Sequence, residues 1–266
     1  MPRVTSRDNP RLVEATRLLA SSRDRRKSGR CVLEGEHVIA VYLERGGMPQ
    51  TLVVLEGREH DPGIARLLAF VPAADVLHVP RSLFAPLAST SVDVGALAIV
   101  STPEGALPPP AVTHLLLDGV QDPGNAGTIL RTAAAAGVKQ VLFSRDCTAA
   151  WSPKVLRAAQ GAHFLVTVVE DVDLPAWATS FAASGGAVVA TVATGGTDLY
   201  AANVVRPWAV AIGNEGAGLS PGLAAVANVA VTIPMPGGME SLNAGAAAAV
   251  VLFELVRRQR RAVTAR

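Results

Sequence analysis

The 266-residue sequence has few cysteines, few aromatic residues and no long apolar run. Cys31 and Cys147 lie far apart and outside any CxxC pattern, which argues against a disulfide framework or a structural zinc site and indicates a reducing compartment. No apolar run approaches 18 residues, and no signal-peptide pattern is present. The sequence therefore predicts a cytoplasmic protein that neither crosses a membrane nor is exported.

Three familiar catalytic or nucleotide-binding motifs are also missing. Residues 213–218 read GxxGxG rather than the dinucleotide fingerprint GxGxxG, and no GxxxxGK[ST] phosphate loop occurs. Residues 218–222, GLSPG, match the hydrolase elbow GxSxG in form only. That elbow needs the backbone N–H of the residue after the serine, and Pro221 has none. No spacing of His, Cys or acidic residues suggests a metal site.

The charge is small overall but unevenly distributed. The net charge is +2, yet residues 1–30 contain nine basic and three acidic residues, and residues 257–266 contain five arginines and no acid. The chain between them carries ten basic and nineteen acidic residues. Basic ends suggest a polyanionic partner such as RNA, although charged termini that only aid solubility are an equally weighted alternative.

The first hundred residues predict a small α/β unit. Residues 12–19 show helical spacing of apolar side chains, and the basic SSRDRRKSGR that follows is predicted to be a loop. CVLEG, TLVVL, ADVLHV and GALAIVS are predicted strands with helices between them. Three consecutive prolines at 108–110 favour an extended linker. We predict an N-terminal domain over residues 1–101, a linker over 102–111 and a second domain over 112–266.

Strand and helix patterns alternate through the second domain. Its strand segments, such as HLLLD, QVLFS, AVVAT and WAVAIG, are apolar throughout rather than alternating in polarity. Such runs are typical of parallel strands that are covered on both faces. The sequence therefore predicts a second α/β domain with a parallel sheet.

Three turns in this domain contain the candidate chemistry. The first has a turn at residues 122–124, Asn125 at the predicted start of a helix, and Arg131 six residues later. The second, AIGNEGAGL, has glycines that would let backbone approach a ligand, and its Glu215 is either a surface charge or a group that orients Arg131. The third, IPMPGGMESLNAGAAAAV, places Ser241 at a predicted helix N-cap, with Asn243 beside it. Taken singly, each is equally compatible with ordinary packing.

Together the three turns resemble the three motifs of the SpoU (TrmH-like) family of SPOUT methyltransferases. The matching segments are DPGNAGTILRTAAAAGV, AIGNEGAGLS and IPMPGGMESLNAGAAAAVVLFE, and KVLRAAQGAHF resembles the middle helix of the family. Residues 30–101 are similar, more weakly, to the L30e-like substrate-binding domain often attached to it. The resemblance covers most of residues 112–258.

The resemblance implies a SPOUT parallel sheet with a C-terminal trefoil knot, S-adenosylmethionine bound there without a metal, a homodimer, and methylation of an RNA ribose 2′-hydroxyl. The implied catalytic residues are Asn125, Arg131, Glu215, Ser241 and Asn243. The implied cofactor-binding residues are Thr191, Gly213, Asn214, Gly216, Ile233, Met235 and Leu242. Arginine keeps its proton in proteins, so a role for Arg131 in binding phosphate and stabilising an oxyanion is favoured over general-base catalysis.

The resemblance leaves several alternatives open. Ribosomal RNA is the preferred substrate, because the attached domain resembles one linked to ribosomal RNA, and transfer RNA is the alternative. An RNA-binding assembly factor that has lost catalysis is a second alternative, against which the intact Arg131 and Asn243 count. A SPOUT enzyme that methylates a base nitrogen is a third, and the Asn/Arg pair of the first motif favours ribose instead.

Overall fold

A computed structural model of the protein describes residues 4–89, 94–103, 105–106 and 112–264, with side chains as far as residue 260. The chain forms two compact units. The N-terminal unit contains the described residues up to 103 together with 151–164, and the C-terminal unit contains the remainder. The domain boundary at the linker stays a prediction, because residues 104 and 107–111, including the three consecutive prolines, lie outside the described residues.

The N-terminal unit is built around a four-stranded sheet. Its elements are α1 (Pro10–Ala20), α2 (Ser22–Ser28), β1 (Arg30–Glu34), α3 (Glu36–Glu44), β2 (Thr51–Leu55), α4 (Pro62–Phe70), β3 (Val76–Val79), α5 (Arg81–Phe84) and β4 (Ala96–Ser101). The strand order is β1-β4-β2-β3, with β4 antiparallel to both neighbours and β3 parallel to β2. Apolar side chains of α1 and α5 pack with those of the strands into one core.

The basic segment after α1 is a helix, so the predicted loop there was wrong. Ser21 caps α2 by accepting a hydrogen bond from the Asp24 N–H at 3.1 Å, and Gly29 ends it in the left-handed conformation. Arg25 is the buried residue of this helix, and its Nη1 donates to the Leu18 carbonyl at 2.7 Å. An apolar-periodicity rule missed α2 because the residue that faces inward is an arginine.

Residues 151–164 complete the N-terminal unit, although they come from a later part of the chain. Their helix, α7 (Pro153–Ala159), packs against β1. The Phe164 ring lies 4.9 Å from that of Tyr42, and Arg157 donates to Ser89 Oγ at 2.8 Å. The unit is therefore assembled from two separate stretches of sequence.

Seven parallel strands form the centre of the C-terminal unit. Its elements are β5 (His114–Asp118), α6 (Pro123–Ala135), β6 (Gln140–Ser144), β7 (Thr167–Val172), α8 (Leu174–Ala183), β8 (Ala187–Thr191), β9 (Thr197–Asp198), β10 (Trp208–Gly213), α9 (Pro221–Val226), β11 (Val229–Thr232) and α10 (Ala244–Thr264). The strand order is β7-β6-β5-β10-β8-β11-β9. Each neighbouring pair in this order is parallel.

Helices cover both faces of this sheet, which explains the uniformly apolar strands. Side chains of α8 and α9 pack on one face, whereas α10 packs against β10 and α6. All five residues of β5 are buried as a result. The predicted parallel α/β architecture is confirmed, whereas the two-residue β9 and the short α9 were not predicted. Of the described helices, none is long and apolar enough to cross a membrane.

A buried histidine makes the stability of the C-terminal unit depend on pH. His114 opens β5 and packs edge-on against the rings of Trp177 and Phe181, at centroid distances of 4.7 and 5.1 Å. Burial lowers its pKa to about 4, although the neighbouring Gln140 side chain partly opposes the shift. Between that value and the unfolded pKa of about 6.5, the unfolded chain binds more protons, so stability falls as pH falls.

We expect protonation of His114 to lower the free energy of unfolding by about 2–3 kcal/mol between pH 7 and pH 4.5. The full pKa shift corresponds to about 3.5 kcal/mol at about 1.4 kcal/mol per unit, and most of it falls within this pH range. Denaturant titrations at both pH values measure it. The His114→Phe variant, which keeps an aromatic ring, should show a pH dependence smaller by that amount. His60→Gln, at an exposed position, is the control. An identical pH dependence in wild type and His114→Phe would contradict the assignment.

Candidate active site

A cleft of about 620 Å³ opens at the carboxyl ends of β8, β10 and β11. Ligands of open parallel α/β sheets bind at this edge, and the volume lies within the usual range for ligand pockets. Apolar walls come from side chains such as Ile212 and Val231, and much of the remaining surface comes from the turn 213–218. The cleft therefore suits a ligand with both apolar and hydrogen-bonding parts.

The structure gathers most of the predicted site residues at this cleft. The lining includes all seven residues predicted to bind a cofactor: Thr191, Gly213, Asn214, Gly216, Ile233, Met235 and Leu242. Glu215, Ser241 and Asn243 also line it. Asn125 joins this group through hydrogen bonds, whereas Arg131 does not.

The turn after β10 depends on a backbone approach that only glycine permits. Asn214 and Gly218 exchange two backbone hydrogen bonds of 2.9 and 3.0 Å, which closes the turn. A Cβ on Gly213 would lie 2.3 Å from the Gly218 carbonyl carbon. The Asn214 side chain accepts from the N–H groups of Gly216 and Ala217, both at 2.9 Å. Gly213 therefore allows the backbone at the two ends of this turn to come close together. This close contact shapes one wall of the cleft.

A chain of three side chains links the three motifs. Asn125 Nδ2 donates to Glu215 Oε1 at 2.9 Å, and Asn243 Nδ2 donates to Asn125 Oδ1 at 2.8 Å. Because a carboxylate accepts only, Glu215 fixes which end of the Asn125 amide points toward it. That orientation in turn presents Oδ1 to Asn243. We call Glu215, Asn125 and Asn243 the amide relay.

The Glu215 carboxylate is held in its ionised form. Burial opposes ionisation, but hydrogen bonds from Asn125 and from the backbone N–H groups of Gln121 and Asp122 outweigh it, and the pKa of Glu215 is lowered. The two backbone bonds are each 3.3 Å long. Glu215 therefore fastens the turn after β5 to the turn after β10. The expectation that it orients Arg131 was wrong, because its oxygens serve these other donors.

Both predicted helix starts in this region were wrong by a few residues. Helix α6 begins at Pro123, and Asp122 rather than Asn125 is its N-cap, accepting from the Asn125 N–H at 2.7 Å. Helix α10 begins at Ala244, and Asn243 Oδ1 accepts from the N–H groups of Gly245 and Ala246 at 2.9 and 3.3 Å. Asn243 therefore performs the capping expected of Ser241. Ser241 is exposed in the loop before the helix and lines the cleft.

Arg131 stands apart from the amide relay. It is exposed on α6, and within the described residues its side chain forms no hydrogen bond or ion pair. Six helical residues advance by about 600°, which turns its side chain roughly 120° away from that of Asn125. The two side chains therefore lie on different sides of the helix. All N–H donors of its guanidinium are therefore available to a binding partner.

Sequence reasoning missed three acidic residues around the cleft. Asp118 ends β5 and accepts from the Ser220 N–H at 2.6 Å, and Asp122 caps α6. Glu240 lines the cleft and is exposed. Asp122 could have been recognised from the Asp-Pro pattern of a helix start. Ser220 itself caps α9 by accepting from the Leu223 N–H at 3.4 Å, so the hydrolase-like GLSPG is a helix start.

No group of three or more His, Cys, Asp or Glu residues able to hold a metal ion occurs in the described part of the chain. The lining of the cleft combines backbone turns, the carboxylates of Glu215 and Glu240, and the side chain of Asn243, which belongs to the amide relay. The fold and this cleft define an α/β protein with a ligand-sized cleft at the carboxyl ends of a parallel sheet.

Comparison with known proteins gives the family. The sequence model of the SpoU rRNA Methylase family matches residues 113–253, and the chain belongs to this family. It is 35% identical to an uncharacterized tRNA/rRNA methyltransferase of Synechocystis, covering 96% of this chain and 94% of the relative. It is 30% identical to the 23S rRNA (guanosine(2553)-2′-O)-methyltransferase RlmP of Bacillus subtilis, covering 96% and 99%.

The similarity extends to solved structures. The crystal structure of the SpoU methyltransferase AviRb from Streptomyces viridochromogenes in complex with AdoMet superposes with a TM-score of 0.83 at 27% identity. The match covers 94% of this chain and 98% of AviRb, so both units have counterparts in one solved protein.

Proposed function

We propose that the protein is an S-adenosylmethionine-dependent methyltransferase that modifies a ribose 2′-hydroxyl in ribosomal RNA. The amide relay at the cleft of a SpoU-family chain is the observation that carries the proposal. The similarity to RlmP, named as a 23S rRNA 2′-O-methyltransferase, favours ribosomal RNA over transfer RNA. The hydrogen-bonded relay argues against an assembly factor that has lost catalysis.

The cleft fits S-adenosylmethionine by its chemistry. Apolar side chains such as Ile233 and Leu242 offer surface to an adenosyl group, and the backbone of the turn 213–218 offers hydrogen-bonding groups. Glu215 and Glu240 give the lining two carboxylates, which favour a ligand that carries positive charge. When bound, S-adenosylmethionine supplies a methyl group on a sulfonium, which is a good leaving group. Thr191, Gly213, Asn214, Gly216, Ile233, Met235 and Leu242 would hold it.

The remaining predicted residues act on the RNA side in this proposal. The amide relay holds Asn125 and Asn243 in fixed orientations, so that they and Ser241 shape the pocket for the acceptor nucleotide. Arg131 binds the phosphate next to the reacting ribose and stabilises negative charge that develops on the 2′-oxygen. Its exposure and its freedom from partners in the described chain suit it to an RNA contact.

Four further expectations belong to the same proposal. A trefoil knot and a homodimer follow from the family resemblance, and the α10 face that bears exposed Phe253 is available for a second copy. The N-terminal unit serves as the RNA-binding part, since many of the basic residues at the start of the chain fall within it. A cytoplasmic location agrees with the two free cysteines, Cys31 and Cys147.

Alkaline hydrolysis tests the position of the methyl group. RNA loses its linkages in alkali because each free 2′-hydroxyl attacks the adjacent phosphorus, and a methyl group on that oxygen protects one linkage. A 23S ribosomal RNA transcript methylated by the protein with methyl-labelled cofactor should therefore release the label in an alkali-stable dinucleotide. Label found only in mononucleotides would contradict ribose methylation and indicate a base methyl. A transfer RNA transcript, expected to stay unlabelled, is the matched control for the substrate class.

A further inference from the structure

The short helix α2 has one buried residue and an opposite, strongly basic face. Arg25 points inward and donates to the carbonyls of Leu18 and Leu19 at 2.7 and 3.4 Å. These bonds hold α2 against the end of α1 and fix its rotation about its own axis. Arg23, Arg26 and Lys27 are exposed as a consequence.

Arg23, Arg26 and Lys27 form what we call the α2 basic face. They are related by three and four residues, so their side chains lie on one side of the helix. Among the described residues, none of the three side chains makes a hydrogen bond or an ion pair. Like charges at these spacings repel each other and destabilise a helix by a few tenths of a kcal/mol per pair. A bound polyanion would remove that repulsion.

The α2 basic face continues into a cleft of about 260 Å³ between α1 and α2. Lys27 lines this cleft together with Arg17, whose side chain also has no hydrogen-bond or ion-pair partner among the described residues. The third cation of the lining, Arg30, is paired with Glu14 at 2.6 Å, and Asp24 is the remaining acid. The positive charge therefore extends beyond one helix face into a concave surface.

At the other basic end of the chain, two of the arginines have partners within the protein. Arg257 and Arg258 both donate to Glu254, which is 8% exposed, and their contacts lower its pKa to about 2. Arg258 also donates to the carbonyls of Leu199 and Ala202. Arg258 therefore fastens α10 to the loop after β9, and Arg257 is paired with Glu254 within the helix. The side chains of the α2 basic face, by contrast, have no partner among the described residues.

We propose that the α2 basic face, with Arg17 beside it, binds the phosphate backbone of the RNA substrate. The proposal rests on the proposed function, because it assigns part of RNA binding to one surface of the N-terminal unit. Sequence-independent phosphate binding needs exposed Lys and Arg side chains with free donors, which this face supplies. The helix sequence SRDRRKS contains no apolar side chain to insert into a lipid surface, so a nucleic acid is the better match.

The test is a triple variant, Arg23→Gln, Arg26→Gln and Lys27→Gln, which removes the charge and retains Arg25. The matched control neutralises three exposed cations elsewhere in the same unit: Arg45→Gln, Arg66→Gln and Arg81→Gln. Affinity for a 23S ribosomal RNA transcript is measured at several salt concentrations. Three lost phosphate contacts should weaken binding about a hundredfold at 0.1 M salt and reduce the slope of log K against log salt by about 2.

Two results would overturn this assignment: an unchanged salt slope in the triple variant, or an equal loss in the control. Circular dichroism and the calorimetric affinity for S-adenosylmethionine should be unchanged in both variants, which shows that the fold is intact. Failure of the proposed function has a different signature. Wild-type protein would then fail to give the alkali-stable labelled dinucleotide, whichever surface binds RNA.

Discussion

Replacing Arg131 with alanine should lower methyl transfer about a thousandfold and leave the affinity for S-adenosylmethionine within about threefold of wild type. Loss of a single donor aimed at developing negative charge lowers catalytic rates by about 10²–10³. Arg131 would lose its phosphate contact as well. Because the Arg131 side chain is exposed and makes no hydrogen bond or ion pair in the described chain, its removal should not affect folding.

The Arg131→Lys variant separates charge from geometry. Lysine keeps the positive charge but cannot form the planar, two-pronged contact that arginine makes with a phosphate. We expect about a hundredfold loss of turnover. Single-turnover transfer to a 23S ribosomal RNA transcript, at saturating cofactor, measures both variants. Lys139→Ala, an exposed change just before β6, is the control. Turnover of Arg131→Lys within tenfold of wild type would contradict the assigned role.

Gly213→Ala should abolish tight cofactor binding, because the new methyl group would occupy the space of another backbone segment. Its carbon would lie 2.3 Å from the Gly218 carbonyl carbon and 2.5 Å from the Leu219 nitrogen. Backbone atoms cannot rotate away as a side chain does, so the turn 213–218 must open. The lining that Asn214 and Gly216 provide to the cleft would then be displaced.

We expect the affinity of Gly213→Ala for S-adenosylmethionine to fall at least a hundredfold, together with a loss of about 1–3 kcal/mol in the free energy of unfolding. Calorimetry and denaturant titration measure the two effects. Gly237→Ala is the matched control, because no atom lies within 4 Å of its added methyl group and its φ is not left-handed. Normal cofactor affinity in Gly213→Ala would show that the turn does not form the binding wall.

The strands of the C-terminal unit could be predicted from the sequence where all of their residues are buried. The strands of the parallel sheet are apolar along their length because helices cover both faces, and β5 and β10 stand out in the sequence for that reason. Helix α2 was not predictable in the same way, since caps at Ser21 and Gly29 and an inward-facing Arg25 stabilise it. Helix α9 has six residues, too few to show a periodic pattern, and follows Ser220 and Pro221 directly.

The residues of the site could be named from the sequence, but their pairing could not. The family resemblance supplied Asn125, Arg131 and Glu215, and residue type allowed an ion pair between the last two. In the structure Glu215 instead accepts from Asn125, 90 residues away in the sequence. Which donor reaches a carboxylate depends on how the turns after β5 and β10 meet. The two turns lie close together because β5 and β10 are neighbours in the sheet, and local sequence does not specify which strands are neighbours.

The split composition of the N-terminal unit has a consequence for its synthesis. A ribosome releases the chain from its N-terminus, and domains usually begin to fold as they emerge. Here Tyr42 cannot meet Phe164, nor β1 meet α7, until residues 151–164 have been made. By then β5 and β6 of the other unit have already been made. The N-terminal unit therefore starts to fold first but cannot complete its core until α7 is available. In nascent chains stopped before residue 151, chaperones and proteases should have access to the surface that α7 covers.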